Sequence, residues 1–222
     1  KFSYSLQNDA ANYYASEIQM KNGAYSFLFN KDGKVLNEIE LNIGGLHNIE
    51  NAISALAVCD VLQLDKLKVR NAIAAFKGVR RRFEYILKSE NCIYIDDYAH
   101  HPEELKMLLS SAKALFPDKK VSVVFQPHLF SRTRDFATGF AQSLDIADEV
   151  ILLDIYPARE LPIEGVSSQI ILDQMYVNNR HIMSKESILQ WVRHADIELL
   201  ITAGAGDIDQ LVNPVKQILQ NK

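Results

Sequence analysis

Cys92-Ile93-Tyr94-Ile95-Asp96-Asp97-Tyr98-Ala99-His100-His101-Pro102-Glu103-Glu104 is the stretch that decides the fold. Its opening residues form a short apolar run of strand-forming side chains. Pro102 and two acidic residues then suit the first turn of a helix, where a missing N–H is harmless and negative charge complements the dipole. A helix is expected over 102–115, and a second apolar run over 121–126 reads as the next strand. The same rhythm holds outward from there. Strands are expected at 83–88, 92–96, 121–126, 149–154, 181–183 and 198–202, alternating with helices near 102–115, 132–143, 167–176, 185–193 and 207–220. Such alternation predicts an α/β, Rossmann-like, mostly parallel sheet covered on both faces. The polar turn 89–91 is expected to join 83–88 and 92–96 as an antiparallel edge hairpin.

Upstream the pattern differs. Asn22-Gly23 and Asp32-Gly33 are two-residue hairpin signals. Around them Tyr25, Phe27 and Phe29, then Val35, Ile39, Leu41 and Ile43, alternate with polar or small residues, so 11–43 is expected to be antiparallel β. Gly44-Gly45 breaks the alternation. Ile49, Ile53, Leu56, Ala57 and Val61 then fall on one helical face over 46–63. Asp65 is the expected N-cap of a second helix ending near Phe76, with Gly78 as its stop. Composition and rhythm change together near 78–82, so domains of 1–79 and 80–222 are expected.

The 222 residues are 48% hydrophobic and 23% charged, which excludes a disordered chain and leaves enough for a real core. With 24 basic against 28 acidic residues the net charge is −4, which gives no support to nucleic-acid binding. Cys59 and Cys92, with no Cys-x-x-Cys, are expected to be buried thiols. No apolar run reaches the ~18–20 residues a membrane span needs, and no signal peptide opens the chain. No membrane insertion and a cytoplasmic location are therefore expected. The first residue is Lys1, not Met, which suggests a processed piece. Nothing in the pattern sets an oligomeric state.

Open α/β sheets bind ligands beyond the carboxyl ends of their strands. Four such ends are rich in polar residues: Asp96 to His101, Gln126 to Arg134, Tyr156 to Glu160, and Ala203-Gly204-Ala205-Gly206-Asp207. Asp96, Asp97, His100 and His101 offer carboxylates and imidazoles to a ligand or metal, or else cap the helix that follows. Ser131 is the expected N-cap of the next helix. Arg132 and Arg134 then lie where the dipole disfavours cations, which points to a bound anion, the alternative being a neighbour such as Asp135. The Gly204/Gly206 segment is short for a phosphate cradle and reads more simply as a tight turn. Arg80-Arg81-Arg82 could grip phosphate by bidentate contacts or simply be solvated. Asn48 and Asn51, three apart on one helix face, can donate and accept to a purine edge, or Asn48 is an N-cap.

Taken in order, four blocks resemble the Mur ligase family of peptidoglycan synthesis over nearly the whole chain. They are Gly45-Leu46-His47-Asn48-Ile49-Glu50-Asn51-Ala52, Arg81-Arg82-Phe83-Glu84, Asp96 to Pro102, and Phe125-Gln126-Pro127-His128-Leu129-Phe130-Ser131-Arg132-Thr133. The double His, the Gln-Pro-His block and Tyr156-Pro157-Ala158 are similar to those of the member that takes UDP-N-acetylmuramate and L-alanine. The resemblance implies that 1–79 is the end of a central ATPase domain and 80–222 a whole C-terminal Rossmann-like domain. It also implies ATP, Mg²⁺, an acyl phosphate, and attack by the alanine amine. The phosphate loop Gly-x-x-Gly-Lys-[Ser/Thr] is not in this sequence, where the one Gly-Lys pair is Gly33-Lys34 in a hairpin turn. The resemblance places the main phosphate and Mg²⁺ ligands outside this stretch, so the chain alone is expected to be inactive.

Residue by residue, the resemblance implies that His47, Asn48 and Asn51 contact the adenine nucleotide, and that Arg82 and Asp97 reach it from the C-terminal domain. Tyr98, His100, His101, His128, Arg132 and Arg134 are implied around the L-alanine and the muramoyl carboxylate. Arg82, Asp97, His100 and Arg132 are the implied catalytic set, with no metal ligand. One departure is Leu129, where the family often has Arg, so a second cation is either missing or supplied elsewhere, as by Arg134 or Arg159. Rival readings are a muropeptide-recycling ligase that adds a tripeptide, a metal-dependent hydrolase built on Asp96, Asp97, His100, His101 and His128, and a silent nucleotide-binding module.

Overall fold

The structure is a computed structural model that describes residues 1–222, apart from the side chain of Lys21. The chain divides into two compact units, Lys1–Gly78 with Ala114–Phe116, and Val79–Lys113 with Pro117–Lys222.

The first unit holds a four-stranded sheet in the order β1-β2-β3-β4, formed by Tyr4–Ser5, Tyr13–Lys21, Ala24–Lys31 and Lys34–Leu41. Both hairpin turns form where the sequence signals them. Asn22 and Gly23 have φ 52° and 68°, and Asp32 and Gly33 have 47° and 78°, the left-handed pair that a two-residue hairpin turn requires. Alternation along β3 buries Tyr25, Phe27 and Phe29 with Ile39 and Leu41 of β4. Two helices follow, α1 (Leu46–Val61) and α2 (Lys66–Ala75). The helix α1 buries Ile49, Ile53, Leu56 and Ala57 as its period predicts, together with Ala52, whereas Val61 of the expected face is exposed. Asp65 caps α2 as expected, its side chain accepting from the Lys68 N–H at 2.9 Å, a contact worth about 1 kcal/mol.

The second unit is α/β. Its strands are β5 (Glu84–Lys88), β6 (Ile93–Asp97), β7 (Val121–Phe125), β8 (Glu149–Leu152), β9 (Asn179–Ile182) and β10 (Leu199–Ala203). They form one sheet in the order β5-β6-β10-β7-β8-β9. Only the β5–β6 pair is antiparallel, the expected edge hairpin. The helices are α3 (Pro102–Leu115), α4 (Phe130–Leu144), α5 (Gln169–Leu172), α6 (Lys185–His194) and α7 (Val212–Gln220). The inner strands β6, β7, β8 and β10 are buried along their full length, as a sheet covered on both faces demands. On one side Ile188, Val192, Ile208, Leu211 and Val215 pack with Tyr94, Val124, Ile151 and Leu200. Phe125 meets Phe140 of α4 with ring centroids 5.3 Å apart.

Four local expectations are corrected. The helix expected over 167–176 is a single turn, α5. The strand expected at 181–183 begins at Asn179 instead. The segment 207–211 is a 3₁₀ turn ahead of α7. Ser131 does not cap α4: the cap position is Leu129, at φ 70°, and Ser131 lies inside the first turn. Periodicity could not reveal this, because a left-handed non-glycine residue is held by its surroundings. Among the described residues no helix is long and apolar enough to cross a membrane.

Candidate functional site

The carboxyl ends of β6, β7 and β8 bring together residues that lie far apart in sequence. At the end of β6, Asp96 and Asp97 are buried parts of the strand and do not lie in the loop. Asp97 is fully engaged with backbone: one oxygen accepts the Phe83 N–H at 2.6 Å and the other the Ala99 N–H at 2.7 Å. Asp96 accepts from the Thr202 hydroxyl at 2.6 Å and from Arg81 Nε at 3.1 Å. Since Thr202 gives its proton to Asp96, the Tyr94 hydroxyl, 3.1 Å away, donates to Thr202. Burial pushes the Asp96 carboxyl up to about 6, with Thr202 and Arg81 holding it back from rising further.

Arg81 is the junction arginine that the structure builds in. Its Nη2 donates to the Gly204 carbonyl at 2.6 Å, and its guanidinium lies 5.1 Å from the Tyr98 ring centroid. The Arg81 carbonyl also takes the Tyr98 N–H at 2.8 Å. Arg82, the residue singled out from sequence, is exposed, with its guanidinium 5.5 Å from the same ring. Arg81 and Phe83 sit at φ 58° and 48°, so the backbone reverses on either side of Arg82. The signal for Arg81 was present in the arginine run but could not be told from its neighbours.

The two histidines after β6 part company. His100 Nδ1 lies 3.0 Å from the Tyr98 carbonyl and 3.3 Å from Glu104 Oε2. Both are acceptors, so Nδ1 carries the proton. The His100 ring meets Tyr98 at 5.3 Å and His128 at 6.2 Å between centroids. His101 instead opens α3. Its N–H donates to Glu104 at 3.2 Å, its ring nitrogen accepts the Glu103 N–H at 3.4 Å, and its ring packs on Phe136 at 4.8 Å. That reciprocal pattern is a capping box.

Beyond β7, His128 forms a lone parallel bridge with Tyr156, and their rings stack at 5.7 Å and 20°. Burial, with help from Arg132 and His100, holds the His128 pKa below 6.5, which leaves the ring neutral at pH 7. Two buried atoms here have no partner among the described residues: His128 Nδ1 and Arg132 Nη1. An unpaired buried guanidinium nitrogen is costly and marks a place for an incoming acceptor. Arg134 points elsewhere, donating to Asp135 at 2.8 Å in solvent. The Gly204/Gly206 segment is a close-packed turn. A side chain at Gly204 would stand 2.7 Å from the Gln126 carbonyl, and one at Gly206 would stand 2.5 Å from Gln126 Oε1.

The first unit carries the asparagine pair. Gly45, at φ 86°, precedes α1, so Asn48 lies in the first turn and is not the cap. Its amide donates to the Gly44 carbonyl at 2.7 Å, and Asn51 lies 3.5 Å from its oxygen. Asn51 is exposed. His47 packs at Gly45, where an added Cβ would stand 2.6 Å from its ring.

An α/β sheet with its polar residues at the carboxyl ends of parallel strands is the arrangement of a ligand-binding domain. Residues 81–206 match the profile described as the Mur ligase, glutamate ligase domain, and the chain belongs to the Mur ligase family. It is 44% identical over 212 residues to the UDP-N-acetylmuramate–L-alanine ligase of Flavobacterium johnsoniae, covering 96% of this chain and 47% of that protein. The UDP-N-acetylmuramate–alanine ligase structure from Thermotoga maritima superposes with TM-score 0.82 at 26% identity, covering 100% of this chain and 48% of that one. A murein peptide ligase from Psychrobacter arcticus shares the fold at TM-score 0.59 and 20% identity, over 100% of this chain and 47% of that one. The chain spans about half the length of the curated relatives it matches.

Proposed function

We propose that this chain is the amino-acid-presenting part of a cytoplasmic ATP-dependent ligase that joins L-alanine to UDP-N-acetylmuramate. In this reading 1–79 belong to the ATP-binding domain and 80–222 form the C-terminal domain. The observation that carries it is the pair of buried, unpaired nitrogens, Arg132 Nη1 and His128 Nδ1, beside His100. A guanidinium and an imidazole nitrogen together suit a carboxylate, and the 44% identical relative is named for L-alanine. Arg132 holds the amino-acid carboxylate. The neutral His128 ring offers one donor and one acceptor, so it can orient the carboxylate or take a proton from the amine. Tyr98 and His100 wall the same end of β6, with His100 Nδ1 committed to local acceptors and Nε2 left for substrate.

In the first unit the Asn51 amide suits an adenine edge, and in the second the exposed Arg82 suits a phosphate. When bound, ATP supplies the phosphoryl group that activates the muramoyl carboxylate as an acyl phosphate. Mg²⁺ usually takes one or two carboxylates together with nucleotide phosphates and water, and in this reading its main ligands belong to the rest of the full-length ligase. What the chain contributes is placement of the amine and stabilisation of the charge that grows as it attacks.

Turnover tests the reading. The complete gene product, given ATP and UDP-N-acetylmuramate, is expected to consume L-alanine and to ignore a muropeptide tripeptide, and the 222-residue chain alone is expected to show no turnover. A preference for the tripeptide, or turnover by the chain alone, would overturn it.

A further inference from the structure

Helix α4 starts without a cap of its own. Its cap position is Leu129, which has no side-chain oxygen and sits at φ 70°. The first N–H groups of a helix need an acceptor, and a carboxylate is the best one. Here the acceptor comes from the loop after β8. Glu160 Oε2 takes the Ser131 N–H at 2.9 Å, and Glu160 Oε1 takes the Ser131 hydroxyl. These bonds hold the carboxyl of the half-buried Glu160 below the usual carboxylate range.

The same two loops are stitched at the histidine. Leu129 N–H donates to the Tyr156 carbonyl at 2.9 Å, Tyr156 N–H donates to the Pro127 carbonyl at 2.8 Å, and the Tyr156 ring stacks on His128. The Glu160–Ser131 contact lies one residue from Arg132, whose Nη1 has no partner, and the Tyr156 contacts flank His128. Glu160 thus brings a negative charge to the start of α4 through Ser131, and Arg132 Nη1 is left for a ligand.

We infer that Glu160 is a positioning residue: clasped to Ser131, it fixes the start of α4 so that Arg132 and His128 stand in place for the substrate carboxylate. This rests on the functional reading above only in naming that carboxylate as L-alanine's. The contribution is geometric. Glu160 touches no reacting atom, and its loss loosens the first turn and leaves the core untouched.

Two measurements test it. The first is amide exchange in the 222-residue chain without substrate. Glu160→Ala, which removes both contacts to Ser131, is expected to speed exchange at Phe130 and Ser131 at least about tenfold and to leave β7 and β10 unchanged. The second is kinetics in the complete gene product. Glu160→Ala is expected to raise the L-alanine KM about tenfold with kcat and the ATP KM within about twofold, since a small misplacement of a binding group is felt in substrate capture. Ser131→Ala, which keeps the N–H bond, should show a smaller rise, and Glu160→Asp should restore part of the loss. Unchanged exchange at Phe130 and Ser131 overturns the clasp. An unchanged alanine KM, or an ATP KM that rises equally, overturns its role. If the unaltered protein uses no L-alanine, the functional reading fails and the exchange result still decides the clasp.

Discussion

Arg81 and Arg132 stand at two strand ends of one sheet and are used in opposite ways. Arg81 is saturated: it meets Asp96, the Gly204 carbonyl and the Tyr98 ring, and its side chain is 14% exposed. Arg132 buries Nη1 with nothing to receive it. A satisfied buried arginine stabilises the fold, whereas an unsatisfied one is stability withheld for a ligand. The contrast separates what holds the site from what waits in it, and substitution can break it.

The largest effect is expected at Arg132. Arg132→Ala should lower kcat/KM for L-alanine in the complete gene product by about 10²–10³, the usual consequence of losing one preorganised donor, while the urea midpoint of the chain stays put. A large loss of stability with activity preserved would reverse the assignment of the two arginines. Arg81→Ala should do the opposite. It leaves Asp96 buried without its cation and is expected to destabilise the chain by about 3 kcal/mol in urea unfolding at pH 7. A variant as stable as the parent would show that the pair carries no structural role.

The smallest effect is a pH dependence. Asp96 in the folded chain titrates at about 6, above its ordinary 3.8. Between about pH 4 and 6 the folded chain therefore keeps a proton that the unfolded chain has released. The stability contributed by Asp96 is present at pH 4 and falls as pH rises through that window. Urea midpoints measured from pH 4 to 7 should decline more steeply in the parent than in Asp96→Asn. Parallel curves would mean that Asp96 is charged throughout and fully compensated by Arg81.

Much of the fold was legible in the sequence. The hairpins at Asn22-Gly23 and Asp32-Gly33 were legible because left-handed turns admit few residue types. The α/β alternation was legible because strands buried on both faces are short apolar runs, while helices carry a 3.6-residue period. The bounds of α3 were legible because Pro102, Glu103 and Glu104 mark its first turn. The helix expected over 167–176 shrank to one turn. Ser168, a residue with no strong local signal, spends its hydroxyl on the distant Leu153 carbonyl.

The site was legible as a list of residue types and not as an arrangement. The sequence by itself determined which residue types stand at the strand ends, His100, His128 and Arg132 among them, and that Asn48 and Asn51 form an amide pair on α1. It determined the α/β class as well, because periodicity and turn chemistry are local. Only the tertiary structure decided that Arg81 is locked beneath Tyr98 while Arg82 is exposed, that His101 caps α3, and that Arg134 faces Asp135. It also decided that Glu160, 29 positions from Ser131, supplies the cap that Leu129 cannot. The reason is physical. Hydrogen bonds and ion pairs between loops depend on which strand ends the sheet order brings side by side, and that order is set by packing of the whole unit.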